Sequence, residues 1–210
     1  MSRSVKVDGK NSGLRTALRA GLTVALCAAW ISGARANAAE TRDATKYVGV
    51  KTCAMCHKKE EAGNQNQKWL DSPHAKAFES LASDKAKEVA KKLGIDNPQQ
   101  SGKCLMCHST AYNWTEAVAT DKIKPEDGVT CESCHGPGKD YKKKEIMENK
   151  DQAIAAGLVH PATKSCVLCH NEKNPTWNPE QYTTKDGKKV GFDEEQAAKK
   201  IEHPNPKLKK

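Results

Sequence analysis

The chain has 210 residues, 35 Lys and Arg against 26 Asp and Glu for a formal net charge of +9, and only 37% hydrophobic and 5% aromatic residues. Too few apolar and aromatic side chains are present for a conventional side-chain core, and the length is one domain's worth of chain. The charge does not point to nucleic acid, because it gathers at the start: beyond Ala38, 29 basic residues face 25 acidic ones, or +4.

That start reads as a targeting segment. Arg3, Lys6, Lys10, Arg15 and Arg19 precede an apolar run from Ala20 to Gly33, and small residues follow in Ala34-Arg35-Ala36 and Ala36-Asn37-Ala38. We expect a signal peptide over residues 1–38, cleaved after Ala36 or Ala38, and a single domain over 39–210; the alternative is an uncleaved anchor. Leu26 is too large for the residue before a lipidated cysteine, which makes Cys27 a discarded ninth thiol. No second apolar span follows, so no transmembrane span is expected in the mature chain.

The first motif is Cys53-Ala54-Met55-Cys56-His57. Next comes Ser72-Pro73-His74-Ala75-Lys76-Ala77-Phe78-Glu79-Ser80-Leu81, where Ser72 as cap, Pro73 as first residue and an apolar stripe predict a helix with His74 on its first turn. Residues 83–93 predict an amphipathic helix closed by Gly94. The second motif, Cys104/Cys107/His108, lies between loop-like stretches at 95–103 and 109–130, with Tyr112 and Trp114 expected beside it.

The third motif, Cys131/Cys134/His135, runs into Gly136-Pro137-Gly138, a tight turn expected to lie against a bulky planar group. Residues 142–156 predict one helix with Ile146, Ala153 and Ile154 inward and Gly157 at its end. His160 stands six residues ahead of the fourth motif, Cys166/Cys169/His170. An Asp186-Gly187 turn follows, then a helix capped by Asp193 with His203 on its final turn, ended by Pro204.

Eight of the nine cysteines and four of the seven histidines thus fall in Cys-x-x-Cys-His, the attachment signature of c-type haem. Two thiols add across the vinyl groups of one porphyrin edge, and the adjacent histidine ligates the iron. Zinc knuckles or disulfide exchange are the alternative for a single pair. Histidine directly after all four pairs has a chance of about one in a million at this histidine content. Four covalently bound haems (iron) would supply the missing apolar core, and the chain without them is expected to be largely unfolded. Their propionates would bring the loaded protein near neutrality or below it.

Haem with histidine on both faces requires eight histidines; the chain has seven. His57, His108, His135 and His170 are proximal, leaving His74, His160 and His203 as distal ligands. One iron would stay open to a small ligand such as NO, unless Met147, a lysine or a neighbouring molecule closes it.

The four motifs in this order, the Ser-Pro-His-Ala-Lys-Ala-Phe-Glu-Ser-Leu block, Cys-Glu-Ser-Cys-His-Gly-Pro-Gly and His203 near the C-terminus resemble the tetrahaem cytochrome c-554 family over essentially the whole mature chain. The resemblance implies a mainly α fold with little β, helices and loops wrapped around four closely packed haems. It implies three six-coordinate irons, pairing His57 with His160, His135 with His74 and His170 with His203, and a five-coordinate iron at His108. The family pattern places the distal histidine of the first haem just after the Gly-Pro-Gly turn, where this chain has residues 140–147, so Met147 competes with His160. The expected function is periplasmic electron transfer between a donor oxidoreductase and an acceptor cytochrome, with an extracellular location as the alternative. Two alternatives differ in class: a haem enzyme reducing NO or a related nitrogen compound at His108, and a subunit of an extracellular cytochrome filament.

Overall fold

The computed structural model describes residues 43–113, 116–117, 120–203 and 205–206. The expected leader over 1–38, Trp114, Pro204 and the last four residues lie outside the described residues. Everything described below belongs to one compact unit, Glu40–Lys210.

The described helices are short: α1 Val50–His57, α2 Gln65–Leu70, α3 Ala77–Ser80, α4 Asp84–Lys92, α5 Gly102–His108, α6 Cys131–His135, α7 Lys144–Met147, α8 Lys150–Ala155 and α9 Glu194–Ile201. Two minimal antiparallel hairpins complete the regular structure. β1 Tyr112–Asn113 pairs with β2 Glu116–Ala117, and β3 Tyr182–Thr183 pairs with β4 Lys189–Val190 around Gly187. The described fold is mainly α with little β, as the resemblance implied.

Several elements follow from local chemistry. Ser83 caps α4 by accepting from the Ala86 N–H at 3.2 Å, and Gly94 at φ +67° lets Ile95 N–H reach back to Ala90 O at 2.8 Å. Asp193 caps α9 by accepting from Gln196 N–H at 2.9 Å.

Three expected elements differ. The helix from Pro73 is instead a turn followed by α3, because the Ser72 hydroxyl is engaged in closing α2, donating to Trp69 O at 2.7 Å. His74 therefore sits in a turn, its carbonyl accepting from Ala77 N–H at 3.2 Å and Val129 N–H at 3.0 Å. Residues 142–156 form two helices, because Asn149 accepts from Gln152 N–H at 3.0 Å and restarts the chain; Ala153 is buried, but Ile154 is exposed. His203 lies beyond the end of α9, where Glu202 is already extended.

The side-chain core is small. Tyr47, Ala111 and Ile123 form its centre with Ala44 and Tyr112 packed on it, while Met55, Leu70, Leu93, Ile154, Val167 and Leu168 remain exposed. So modest a core is what the composition led us to expect. Gly128 shows how closely the backbone approaches itself: at φ +68°, a Cβ there would stand 2.8 Å from His74 O and 2.9 Å from Ala75 O. Gly138 is also required by protein neighbours and not only by a planar group, since its Cβ would meet Val48 Cγ2 at 2.9 Å.

Candidate haem sites

Each of the first three motifs lies on a helix. Cys53, Cys56 and His57 close α1, Cys104, Cys107 and His108 close α5, and Cys131, Cys134 and His135 are on α6. Helical spacing puts thiols three residues apart on one face, with the histidine beside the second. The fourth motif differs: Cys166 belongs to a 3₁₀ run, Ala162–Leu168, and Cys169 and His170 follow it.

Thiols of different motifs meet. The Cys131 thiol in contact with Cys53 is the first cause that pushes Cys53 far above the ordinary thiol range, while Cys131 itself is lowered by the same contact. Cys169 and Cys107 make a second such pair, Cys169 raised and Cys107 lowered. Burial first, and then the neighbouring Cys166, pushes Cys134 up to about 11. The motifs therefore follow one another in space in the order first, third, fourth, second.

The imidazoles are held by different partners. His57 Nδ1 lies 3.2 Å from Gln65 Oε1, and His108 Nδ1 lies 2.8 Å from Ala77 O and 3.2 Å from Ser80 Oγ. In both, an Nδ1–H donor leaves the Nε2 lone pair for a metal. His203 Nδ1 is likewise 2.8 Å from Ile201 O. Burial holds the pKa of His135 down to about 4, with the neighbouring His203 adding to the effect, so this imidazole stays neutral.

Two histidine pairs come together. The rings of His74 and His170 are 6.1 Å apart at 82°, and those of His135 and His203 are 5.9 Å apart at 75°. A metal bound by two ring nitrogens at about 2 Å each separates the imidazole centroids by about 6 Å. Phe192 stacks on His170 at 5.1 Å and fixes the plane of that ring. These pairings exchange the partners that the resemblance implied: His74 faces His170 and not His135, and His203 faces His135 and not His170.

His160 is exposed; its charge and that of His57 are both felt at His135, but His160 makes no ring contact with His57 among the described residues. Met147 is half-buried at the end of α7. Among the described residues no histidine ring packs on His108, whose imidazole contacts are Ala77 and Ser80.

The residues present suit covalently attached haem. All eight motif thiols are free of disulfides, and among the described residues no three Cys, His, Asp or Glu side chains converge as a zinc site would require. His135 Nδ1 is buried without a hydrogen-bond partner, and apolar motif residues such as Met55, Val167 and Leu168 are exposed beside thiols. Sequence reasoning missed the groups that fix this frame. Trp69 Nε1–H donates to Val129 O at 2.8 Å, the Tyr141 hydroxyl donates to Gly136 O at 2.6 Å, and the Glu132 carboxylate is fully buried. An aromatic with a polar tip just outside a motif was the available signal for the first two.

Paired thiols with a trailing imidazole, repeated four times on a frame with few buried side chains, define a multihaem c-type cytochrome. The profile of the family "Cytochrome c554 and c-prime" matches residues 52–136. Cytochrome c-554 of Nitrosomonas europaea is 37% identical over 100 residues, 46% of this chain and 40% of that protein, so the match spans about two fifths of the relative's length. The solved structure of the reduced state of cytochrome c554 from Nitrosomonas europaea is 30% identical, covering 73% of this chain and 77% of that one, with a TM-score of 0.45. The chain belongs to the cytochrome c-554 family, whose members bind covalent haem c. Among the described residues no helix is long and apolar enough to cross a membrane.

Proposed function

We propose that this chain is a periplasmic tetrahaem electron carrier, exported by the leader over 1–38 and folded as one domain over 39–210. It passes electrons from a donor oxidoreductase to an acceptor cytochrome. The observation that carries this reading is the spatial succession of the motifs, with the thiols of Cys53 and Cys131, Cys134 and Cys166, and Cys169 and Cys107 as neighbours. Groups attached at these sites form a continuous path from His57 through His135 and His170 to His108. Lysine-rich surface such as Lys142–Lys144 steers docking to an acidic partner.

The proposed axial pairs are His170 with His74, His135 with His203, and His57 with His160, Met147 being the alternative to His160. The iron of His108 then has an open face. Low-temperature electron paramagnetic resonance of the oxidised protein tests the set: we expect three low-spin centres and one high-spin centre, and four low-spin centres would overturn it. The same open face supports binding of NO or a related small nitrogen compound as a second reading. NO should bind the wild type and not a His108→Ala variant that retains three low-spin centres.

A further inference from the structure

Glu132 is the first variable residue of the third motif, where the other motifs carry Ala54, Leu105 and Val167. Its side chain is 1% exposed. Oε1 accepts from Val48 N–H at 3.0 Å and Gly138 N–H at 2.7 Å, and Oε2 accepts from Gly49 N–H at 2.9 Å and more weakly from Val48 N–H at 3.3 Å. Every partner is a donor, the arrangement of an ionised carboxylate. The described ion pairs all lie on exposed side chains and none includes Glu132. This is a buried anion satisfied by backbone dipoles and not by a cation.

Its position joins two motifs. Val48 and Gly49 lead directly into α1, which carries the first motif, while Gly138 ends the turn behind the third. The negative charge also opposes ionisation of Cys53, Cys131 and Tyr141, which places all three within its field. At the same position the second and fourth motifs carry Leu105 and Val167, and the carboxylate whose charge reaches Cys166 of the fourth, Glu194, is exposed to solvent.

We propose that Glu132 is a positioning residue that clamps the first motif onto the third and, as a buried carboxylate, lowers the reduction potentials of the two haems attached there. The inference rests on the tetrahaem reading above. Adding an electron beside a fixed negative charge in a medium of low dielectric is disfavoured, and charge and hydrogen bonding near a haem are among the means by which a protein sets its potential. The other pair keeps the potentials its axial ligands give.

The test is spectroelectrochemical titration of the loaded protein in wild type, Glu132→Gln and Glu132→Asp forms, with haem content measured for each. Gln removes the charge and turns one hydrogen-bond acceptor into a donor facing Gly49 N–H or its neighbours. We expect two of the four midpoint potentials to rise in Glu132→Gln while the other two stay in place. Asp keeps the charge with a shorter reach, so Glu132→Asp should lower the melting temperature yet leave all four potentials near wild type. Four unmoved potentials in Glu132→Gln, or a uniform rise of all four, would overturn the proposal. So would a shift in Glu132→Asp as large as that in Glu132→Gln. If Glu132→Gln does not load haem, Glu132→Asp still decides by whether its potentials hold. A wild type carrying fewer than four haems would instead overturn the tetrahaem reading.

Discussion

Between Tyr47 and Val159 the backbone is fastened by buried groups from distant parts of the chain. Glu132 reaches Val48 and Gly49, Thr110 Oγ1 accepts from Thr130 N–H at 2.7 Å, and Trp69 reaches Val129. From His160 onward, Gly191 is the one buried residue among those described, and ion pairs such as Lys185–Glu195 at 2.8 Å lie fully in solvent. Such pairs contribute little to stability. What links this second region to the first is the packing of residues 162–168 on α6, where the Ser165 hydroxyl donates to Cys134 O at 3.0 Å, together with His170 beside His74 and His203 beside His135. Residues 47–159 thus hold their Cys-x-x-Cys-His segments largely by buried protein contacts, whereas 160–206 packs on α6 with almost no buried side chains of its own.

The largest effect should come from removing a haem on one side of that divide. In the full-length variant Cys166→Ala/Cys169→Ala, limited proteolysis followed by mass spectrometry should show cleavage between 160 and 206 accelerated about tenfold or more. A fragment ending near Val159 should persist. In Cys131→Ala/Cys134→Ala, both regions should be cut at similar rates, because α6 serves both. Equal protection of 160–206 in wild type and the fourth-motif variant would remove the distinction.

A smaller break targets the junction of the two regions. Gly128→Ala puts a Cβ against the carbonyls of His74 and Ala75 at a positive φ. We expect a loss of about 1–3 kcal/mol in thermal unfolding. Because the displaced turn carries His74, the low-spin resonance of one haem should broaden while the others are unchanged. Destabilisation without that selective change would mean that His74 does not serve an iron.

The sequence made the attachment chemistry legible because its signal is local: two thiols and an imidazole at fixed spacing need no tertiary information. The cap at Asp193 was legible for the same reason. Which histidine rings pack together was not, since that depends on which segments meet. The approach of the His74 ring to His170 and of the His203 ring to His135 is long-range packing with no local signature. The missed break at Asn149 is intermediate, because an asparagine at a cap is a local signal, but one that competed with a continuous helical pattern. Glu132 had the least chance of being read, as a carboxylate between two cysteines looks like surface until the N–H groups it receives are known.

The smallest expected effect sharpens the description of the solvent-held region. Hydrogen bonding from Lys185, and then from Lys199, holds the Glu195 carboxyl down to about 2 from an ordinary 4.5. An acid with a depressed folded-state pKa favours the folded form above its unfolded value, and that contribution is lost as pH falls from about 4.5 through about 2. Glu195→Gln should therefore reduce hydrogen-exchange protection of α9 and the β3–β4 hairpin at pH 7, while wild type and variant converge at pH 2. Because the group is fully exposed, the difference should also shrink in about 1 M salt, where the Debye length is about 3 Å. Residues 47–159 should show no change under either condition. A change that spread into them would mean that α9 and the β3–β4 hairpin are coupled to the buried contacts of that region.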